Sequence, residues 1–322
     1  MTDSKLKMVE TNPVHREVER WDVAVVLRSA NERTEEFALQ LIKSQIPDSR
    51  IAIVKERPFA KALEKSIDTG LDFGLAWTLC IDADVLIFPN AIDNLLDEMS
   101  DQPCTSFGMT GRIFDKFYDR PKSGGPHLYR TNLLTRARSL VKECQNHIRP
   151  ETQLKTLMGE QGFGWVSSSS IFGIHDYEQY YRDIFRKMAV RARKSHQGAI
   201  DDLMTRATLA SKWDKDFLVA LWGFRYGKSL SSSDEIPLDI DYWNEFTKPL
   251  IVAYGLEEKA PLSDLDKKNL QEQLRVAQSS SQMKTQHDKP INKSKLSSMI
   301  WWIGNQIKRI GNKLERLAFG HE

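Results

Sequence analysis

Cysteine is scarce in this chain of 322 residues: Cys80, Cys104 and Cys144 are the three, odd in number and without CxxC spacing. That argues against a disulfide framework or a cysteine zinc site and suits reduced thiols in a reducing compartment. Long apolar runs are also missing, since none approaches the about 18 residues that a membrane span needs. The opening MTDSKLKMVETNPVHREVERW is polar and carries no apolar segment of the secretory kind. A surplus of charge is absent as well. The 46 Lys and Arg against 44 Asp and Glu leave a formal +2, so nothing global points to a nucleic-acid partner. What remains is 40% apolar and 28% charged, a soluble globular composition able to bury a sizeable core.

Strand and helix patterns alternate after a polar arm at 1–20. DVAVVLRS carries the continuous apolar run of a strand buried on both faces. Phe37, Leu41 and Ile42, preceded by Thr34, Glu35 and Glu36, predict a capped helix that ends before Pro47. RIAIV is a second strand, and Phe59, Leu63 and Ile67 mark a second helix over 58–72. WTLCI is a third strand, and Pro89 opens a third helix. Three such alternations predict a doubly wound α/β domain with a parallel sheet. DRPKSGGPH reads as a loop, 131–147 as a helix, and Pro150 starts another that stops near Gly162. GWVSSSSIFGIHD reads as a strand and its exit, and 177–226 as helical. The boundaries expected are a catalytic domain at 21–228, a helical extension at 229–278, a flexible linker at 279–295 and an amphipathic heptad helix at 296–319.

The most apolar stretch of the first hundred residues, WTLCIDADVLIFPNAI, ends its strand in two acids. Residues i and i+2 of a strand share a face, so Asp82 and Asp84 are expected to point together at the carboxyl end, where open α/β sheets bind ligands. Converging carboxylates repel unless a cation lies between them, and hard oxygen ligands suit Mg²⁺ or Mn²⁺. The alternative is a pair of turn-capping aspartates.

TGLDFGLAWTLCIDADVLIFPNAIDNLLDEM resembles the centre of the GT-A glycosyltransferases, and VAVVLRSANERTEEFALQLIKSQ resembles the first strand and helix of their family 2-like members. The resemblance covers roughly 21–180. It implies a GT-A, Rossmann-like, mostly parallel sheet flanked by helices, with a helical C-terminal extension here. It also implies a nucleoside-diphosphate-sugar donor held through a divalent ion. Asp84 is then the direct ligand, Asp82 touches ribose or metal-bound water, and His175 in SIFGIHDYEQYY is the late third ligand. Without the resemblance, His175 beside Asp176 reads as a capping or core-edge histidine. Arg28, Ser29 and Glu32 are expected to line the nucleotide pocket. Glu56 stands in VKERPF where members usually place a base-reading aspartate, which leaves the base open.

Inversion needs a carboxylate to accept the acceptor proton. The resemblance implies that in an inverting member this base is an acid at the start of the helix after the acceptor-loop region. Glu151 in IRPETQLKTLMGEQGFGW fits that placement loosely, and equally fits a first-turn acid complementing the helix dipole. The stereochemical course therefore stays open. GGPHLYRTNLL resembles the acceptor-shaping loop, with His127, Tyr129 and Arg130 as contacts. A nucleotidyltransferase would share the metal logic, but no glycine-rich phosphate loop follows the first strand.

In the tail, Leu296, Ile300, Ile303, Ile307, Ile310, Leu314 and Leu317 are spaced 4, 3, 4, 3, 4, 3. That is a coiled-coil seam. Trp301, Trp302 and four basic residues against Glu315 equally suit an anionic membrane surface. The expectation is a cytoplasmic, metal-dependent glycosyltransferase acting on a saccharide or lipid-linked acceptor, with peripheral attachment at the inner face of a membrane, or a homo-oligomer, through this helix. The alternative is a noncatalytic nucleotide-sugar-fold module assembling through the same helix.

Overall fold

A computed structural model of the chain describes residues 22–118, 120–147, 149–194, 197–230 and 240–285. The heptad helix expected at 296–319, the polar arm and most of the expected linker lie outside these residues. The first three strands and helices follow the sequence reading: β1 (Val23–Arg28), α1 (Glu35–Lys43), β2 (Ile51–Val54), α2 (Phe59–Phe73), β3 (Trp77–Asp82) and α3 (Ala91–Ser100), with β4 (Val85–Ile87) between the last two. Leu71 closes α2 by accepting from the amide of Gly74, which sits in the left-handed region at φ 62°. Then come β5 (Ser106–Asp115), β6 (Pro121–Arg130), α4 (Thr131–Leu140), α5 (Pro150–Glu160) and β7 (Gly164–His175). Five helices follow: α6 (Tyr181–Lys194), α7 (Gln197–Ala210), α8 (Lys215–Ser229), α9 (Ile240–Ala253) and α10 (Asp264–Thr285).

The strands form one sheet in the order β2-β1-β3-β6-β5-β7-β4. β1 is parallel to β2 and β3, and β5 is parallel to β7; β6 and β4 run the other way. The sheet is thus mostly parallel and flanked by helices, the α/β class the sequence leads one to expect. Val23, Val25, Leu27, Leu79 and Ile81 face α1, α3 and the late residues Leu270 and Leu274 of α10, all in one buried cluster. Val26 and Cys80 face the other way, onto Leu63 and Ile67 of α2, Leu134 of α4 and Leu154 of α5. A third cluster joins α6, α8 and α9 through Phe185, Phe224 and Trp243.

Several local expectations are corrected. The segment read as a loop at 119–127 supplies most of β6, which pairs with β3 through Cys80↔His127 and with β5 through Thr110↔His127. Pairing on both edges overrides its turn-forming composition, and Pro121 stands at the first position, where a strand tolerates it. The stretch 177–226 is helical as expected, holding α6, α7 and most of α8, with α6 and α8 in one buried cluster. α10 runs on to Thr285, past the expected start of the linker, and its Leu270 and Leu274 pack in the main core. Among the described residues no helix is long and apolar enough to cross a membrane.

Candidate metal and donor site

The strand that carries the acid motif ends at Asp82, and the chain turns at Ala83 and Asp84 before β4 begins. The i, i+2 rule therefore does not reach Asp84, and the expectation that the two acids point together is corrected: each joins a different network. Asp82 stays half-exposed, its Oδ1 accepting from Arg28 Nε at 2.7 Å. Asp84 is buried. β4 pairs with β7 so that Val85 lies opposite His175, which brings the histidine to the turn.

His175 Nε2 lies 3.5 Å from Asp84 Oδ2, and its Nδ1 lies 3.0 Å from Asp115 Oδ2 and 3.3 Å from Asp176 Oδ2. Asp176 is fully buried and takes φ 64°, a left-handed conformation that aspartate tolerates better than most residues. Its amide donates to Asp84 O at 3.3 Å. One ligand atom from each of Asp84, His175 and Asp176 falls within 4.8 Å of the others. Two carboxylates and an imidazole suit a divalent ion such as Mn²⁺. Asp84 Oδ1 is buried with no hydrogen-bond partner, so this donor set has unused capacity. The residues fit the ion that the sequence leads one to expect.

The cluster also carries its own cations. Lys187 Nζ contacts Asp84 Oδ2 and lies 2.5 Å from Asp176 Oδ1. Arg191 Nη2, one helical turn on, lies 3.0 Å from Asp115 Oδ2 and 3.1 Å from Asp176 Oδ2, and Lys122 contacts Asp115 as well. Burial alone would favour the neutral forms, and for Asp84, Asp115, His175, Lys187 and Arg191 the opposed charges reverse it, while burial and the neighbouring Arg191 keep Lys122 lowered. Burial works to raise Asp84, and Lys187 and His175 bring it well below the usual carboxylate range. Burial works to lower His175, and Asp176 and Asp84 raise it to about 9. Glu32 is pushed up to about 7 by burial and by the charge of Asp84.

The loop after β1 is bound to itself. Glu32 Oε2 accepts from the Ala30 amide at 2.7 Å, and Ser29 Oγ lies 2.5 Å from Glu35 Oε2. Glu56 is exposed just beyond the end of β2. Glu151 sits in the first turn of α5, as expected, but its side chain is buried and both oxygens are engaged. Tyr129 donates to Oε1 at 2.5 Å, Arg28 Nη1 donates to the same atom at 3.1 Å, and His127 Nδ1 lies 2.9 Å from Oε2. Burial works to raise it, yet His127 and Arg28 bring it well below the usual range. A carboxylate so held is suited to fixing Arg28 and His127 and poorly suited to taking a proton. Lys155 extends the network, 2.9 Å from His127 Nε2 and 4.0 Å above the Trp165 ring.

Asp82, Arg28 and Glu151 thus form one network, and Asp84, His175 and Asp176 another. Asp176, Asp115, Lys187 and Arg191 were missed by sequence reasoning. The signal that could have found the two cations is their i, i+4 spacing, which puts both on one face of α6.

No family model matches the chain, and no curated protein matches it. Among solved structures it is similar to a glycosyltransferase involved in the glycosylation of the major capsid of PBCV-1, at 10% identity over 48% of this chain and 94% of that one, with a TM-score of 0.36. It is also similar to a mannosyltransferase from Pyrobaculum calidifontis in complex with GDP-Man and Mn²⁺, at 11% identity over 72% and 80% of the two chains, TM-score 0.37. A third is 4-diphosphocytidyl-2C-methyl-D-erythritol synthase, at 13% identity over 48% and 89%, TM-score 0.34. At these scores the fold reading rests on the chain's own sheet and site.

Proposed function

We propose that the protein is a divalent-metal-dependent glycosyltransferase that moves a sugar from a nucleoside-diphosphate-sugar donor to a saccharide or lipid-linked acceptor, in the setting of surface polysaccharide synthesis. The observation that carries the reading is the Asp84, His175 and Asp176 group beside the carboxyl end of β3, with Asp84 Oδ1 buried and without a partner. These three side chains are the proposed ligands for Mn²⁺ or Mg²⁺, which when bound would neutralise the leaving diphosphate. Asp82, half-exposed at the strand end, is proposed to meet the ribose or metal-bound water. Arg28 orients Asp82, Ser29 and Glu32 shape the loop beside it, and Glu56 is free to reach the base. The segment 296–319, with its heptad spacing of apolar residues, is proposed to hold the enzyme at an anionic membrane surface or to a second copy.

The test is thermal-shift screening of nucleoside diphosphates with and without Mn²⁺, followed by mass-spectrometric detection of donor turnover. A metal-dependent shift with one nucleotide, lost in Asp84→Ala, is the expected result. No shift with any nucleotide would instead favour the noncatalytic module.

A further inference from the structure

We propose that Lys187 holds, in the free protein, the place between Asp84 and Asp176 that a divalent cation takes in the donor complex, and that its ammonium moves onto the donor's diphosphate when the ion binds. The inference rests on the reading of this site as one for metal and nucleoside diphosphate.

Three observations support it. First, Lys187 touches two of the three ligand residues: its Nζ contacts Asp84 Oδ2 and is 2.5 Å from Asp176 Oδ1. Arg191 and Lys122 are anchored elsewhere, both on Asp115, with Arg191 also reaching Asp176, and neither pairs with Asp84. Second, the intact cluster carries no surplus of negative charge. Asp84, Asp115 and Asp176 face Lys187, Arg191 and Lys122, with His175 against all three acids, so an added ion meets no net negative charge to draw it in. Release of Lys187 takes away one positive charge and frees two ligand oxygens together. Third, Asp84 remains under-satisfied even with Lys187 in place, since its Oδ1 is buried without a partner. Lysine meets one oxygen and leaves coordinating capacity on the other.

A lysine suits such an exchange. Its charge is a compact point on a flexible stem with three donors, able to leave one anion for another without a fixed planar geometry. A diphosphate arriving with its metal supplies that second anion. Metal and nucleotide then bind with positive coupling, each favouring the state in which Lys187 has left the carboxylates.

The experiment measures Mn²⁺ binding to the full chain by electron paramagnetic resonance of the free ion, alone and with GDP or UDP, in wild type, Lys187→Met and Lys187→Arg. Wild type should bind Mn²⁺ alone weakly and at least tenfold more tightly with the nucleotide it accepts. Lys187→Met should bind Mn²⁺ alone at least tenfold more tightly than wild type, with little further gain from nucleotide, and its melting temperature should rise on adding Mn²⁺. Lys187→Arg, which keeps the charge in a form that grips two carboxylates at once, should bind Mn²⁺ more weakly than wild type. This variant tests the proposal even if Lys187→Met does not fold. Equal Mn²⁺ affinity in all proteins that fold would overturn the role of Lys187 and leave the metal site standing. No Mn²⁺ binding in any of them, with or without nucleotide, would overturn the metal reading and the proposal together.

Discussion

Arg28 and Glu151, far apart in sequence, meet across 3.1 Å where neither side chain is open to solvent. The same guanidinium holds Asp82 through Nε at 2.7 Å, so α5 is tied through Arg28 to the end of β3. Glu151→Gln removes the charge on which Arg28, His127 and Tyr129 converge. Taking one partner from a buried ion pair costs about 3 kcal/mol. The variant should lose about that much in urea denaturation, while its turnover falls less than tenfold at a temperature where it stays folded. Unchanged stability with turnover down by about a hundredfold or more would make Glu151 the base instead.

Asp82 and Asp84 should differ in what they contribute. Asp84→Asn removes a ligand oxygen from the three-residue group and should abolish Mn²⁺-dependent nucleotide binding in calorimetry. Asp82→Asn changes a residue outside that group, held by Arg28, and should weaken the same binding about 10- to 100-fold, the range for residues that support a metal site from its surroundings. Equal losses in the two variants would place Asp82 among the ligands.

The three leading strands were legible because their signal is local: consecutive apolar residues such as Val23 to Leu27 make a strand wherever a sheet covers both faces. β6 was not legible, because nothing within PKSGGPHLYR marks it as a strand until β3 and β5 pair with it. The site divides in the same way. Asp84 and His175 stand out as an acid and a histidine at strand ends. Lys187 and Arg191, by contrast, look in sequence like the solvated face of any surface helix. Only in the folded chain does that face turn inward to Asp84, Asp115 and Asp176. The side-by-side placement of Asp84 with Asp82 failed because strand alternation was carried past Asp82, where the strand ends and the chain turns.

Lys155 offers a pH test away from the metal group. Burial pushes its ammonium down to about 8, against the pull of Glu151 and with the push of Arg28. In the unfolded chain it titrates near 10.4, about the ordinary lysine value. Between about 8 and 10.4 the unfolded chain holds the extra proton, so this residue's penalty on folding is full below that window and is relieved as pH rises through it. The stability difference between wild type and Lys155→Met should therefore move in favour of wild type from pH 7.5 to pH 10, measured by urea denaturation. A difference that stays flat across that window would mean that Lys155 titrates normally.

The position of α6, and with it Lys187, depends on two glycines of α8. A Cβ on Gly223 would lie 2.3 Å from Phe185 O, and one on Gly227 would lie 2.3 Å from Ala189 O. Phe185 and Ala189 flank Lys187 at two residues on either side, so the backbone of α8 packs directly against the stretch of α6 that carries the cation. Both contacts are with carbonyl oxygens, which cannot swing aside as a flexible side chain can. Gly223→Ala gains about 1 kcal/mol of helix propensity. It must also force the two helices apart, at an overpacking cost of about 1–3 kcal/mol or more. Gly159, in α5, is the control, because a Cβ there meets nothing within 4 Å and the propensity gain stands alone. Gly159→Ala should raise the melting temperature and leave Mn²⁺ affinity unchanged. Gly223→Ala should lower the melting temperature and, by drawing Lys187 back from Asp84, tighten Mn²⁺ binding in the absence of nucleotide. If both substitutions raise the melting temperature alike, α8 does not set the depth of α6, and the placement of Lys187 must come from the salt bridges alone.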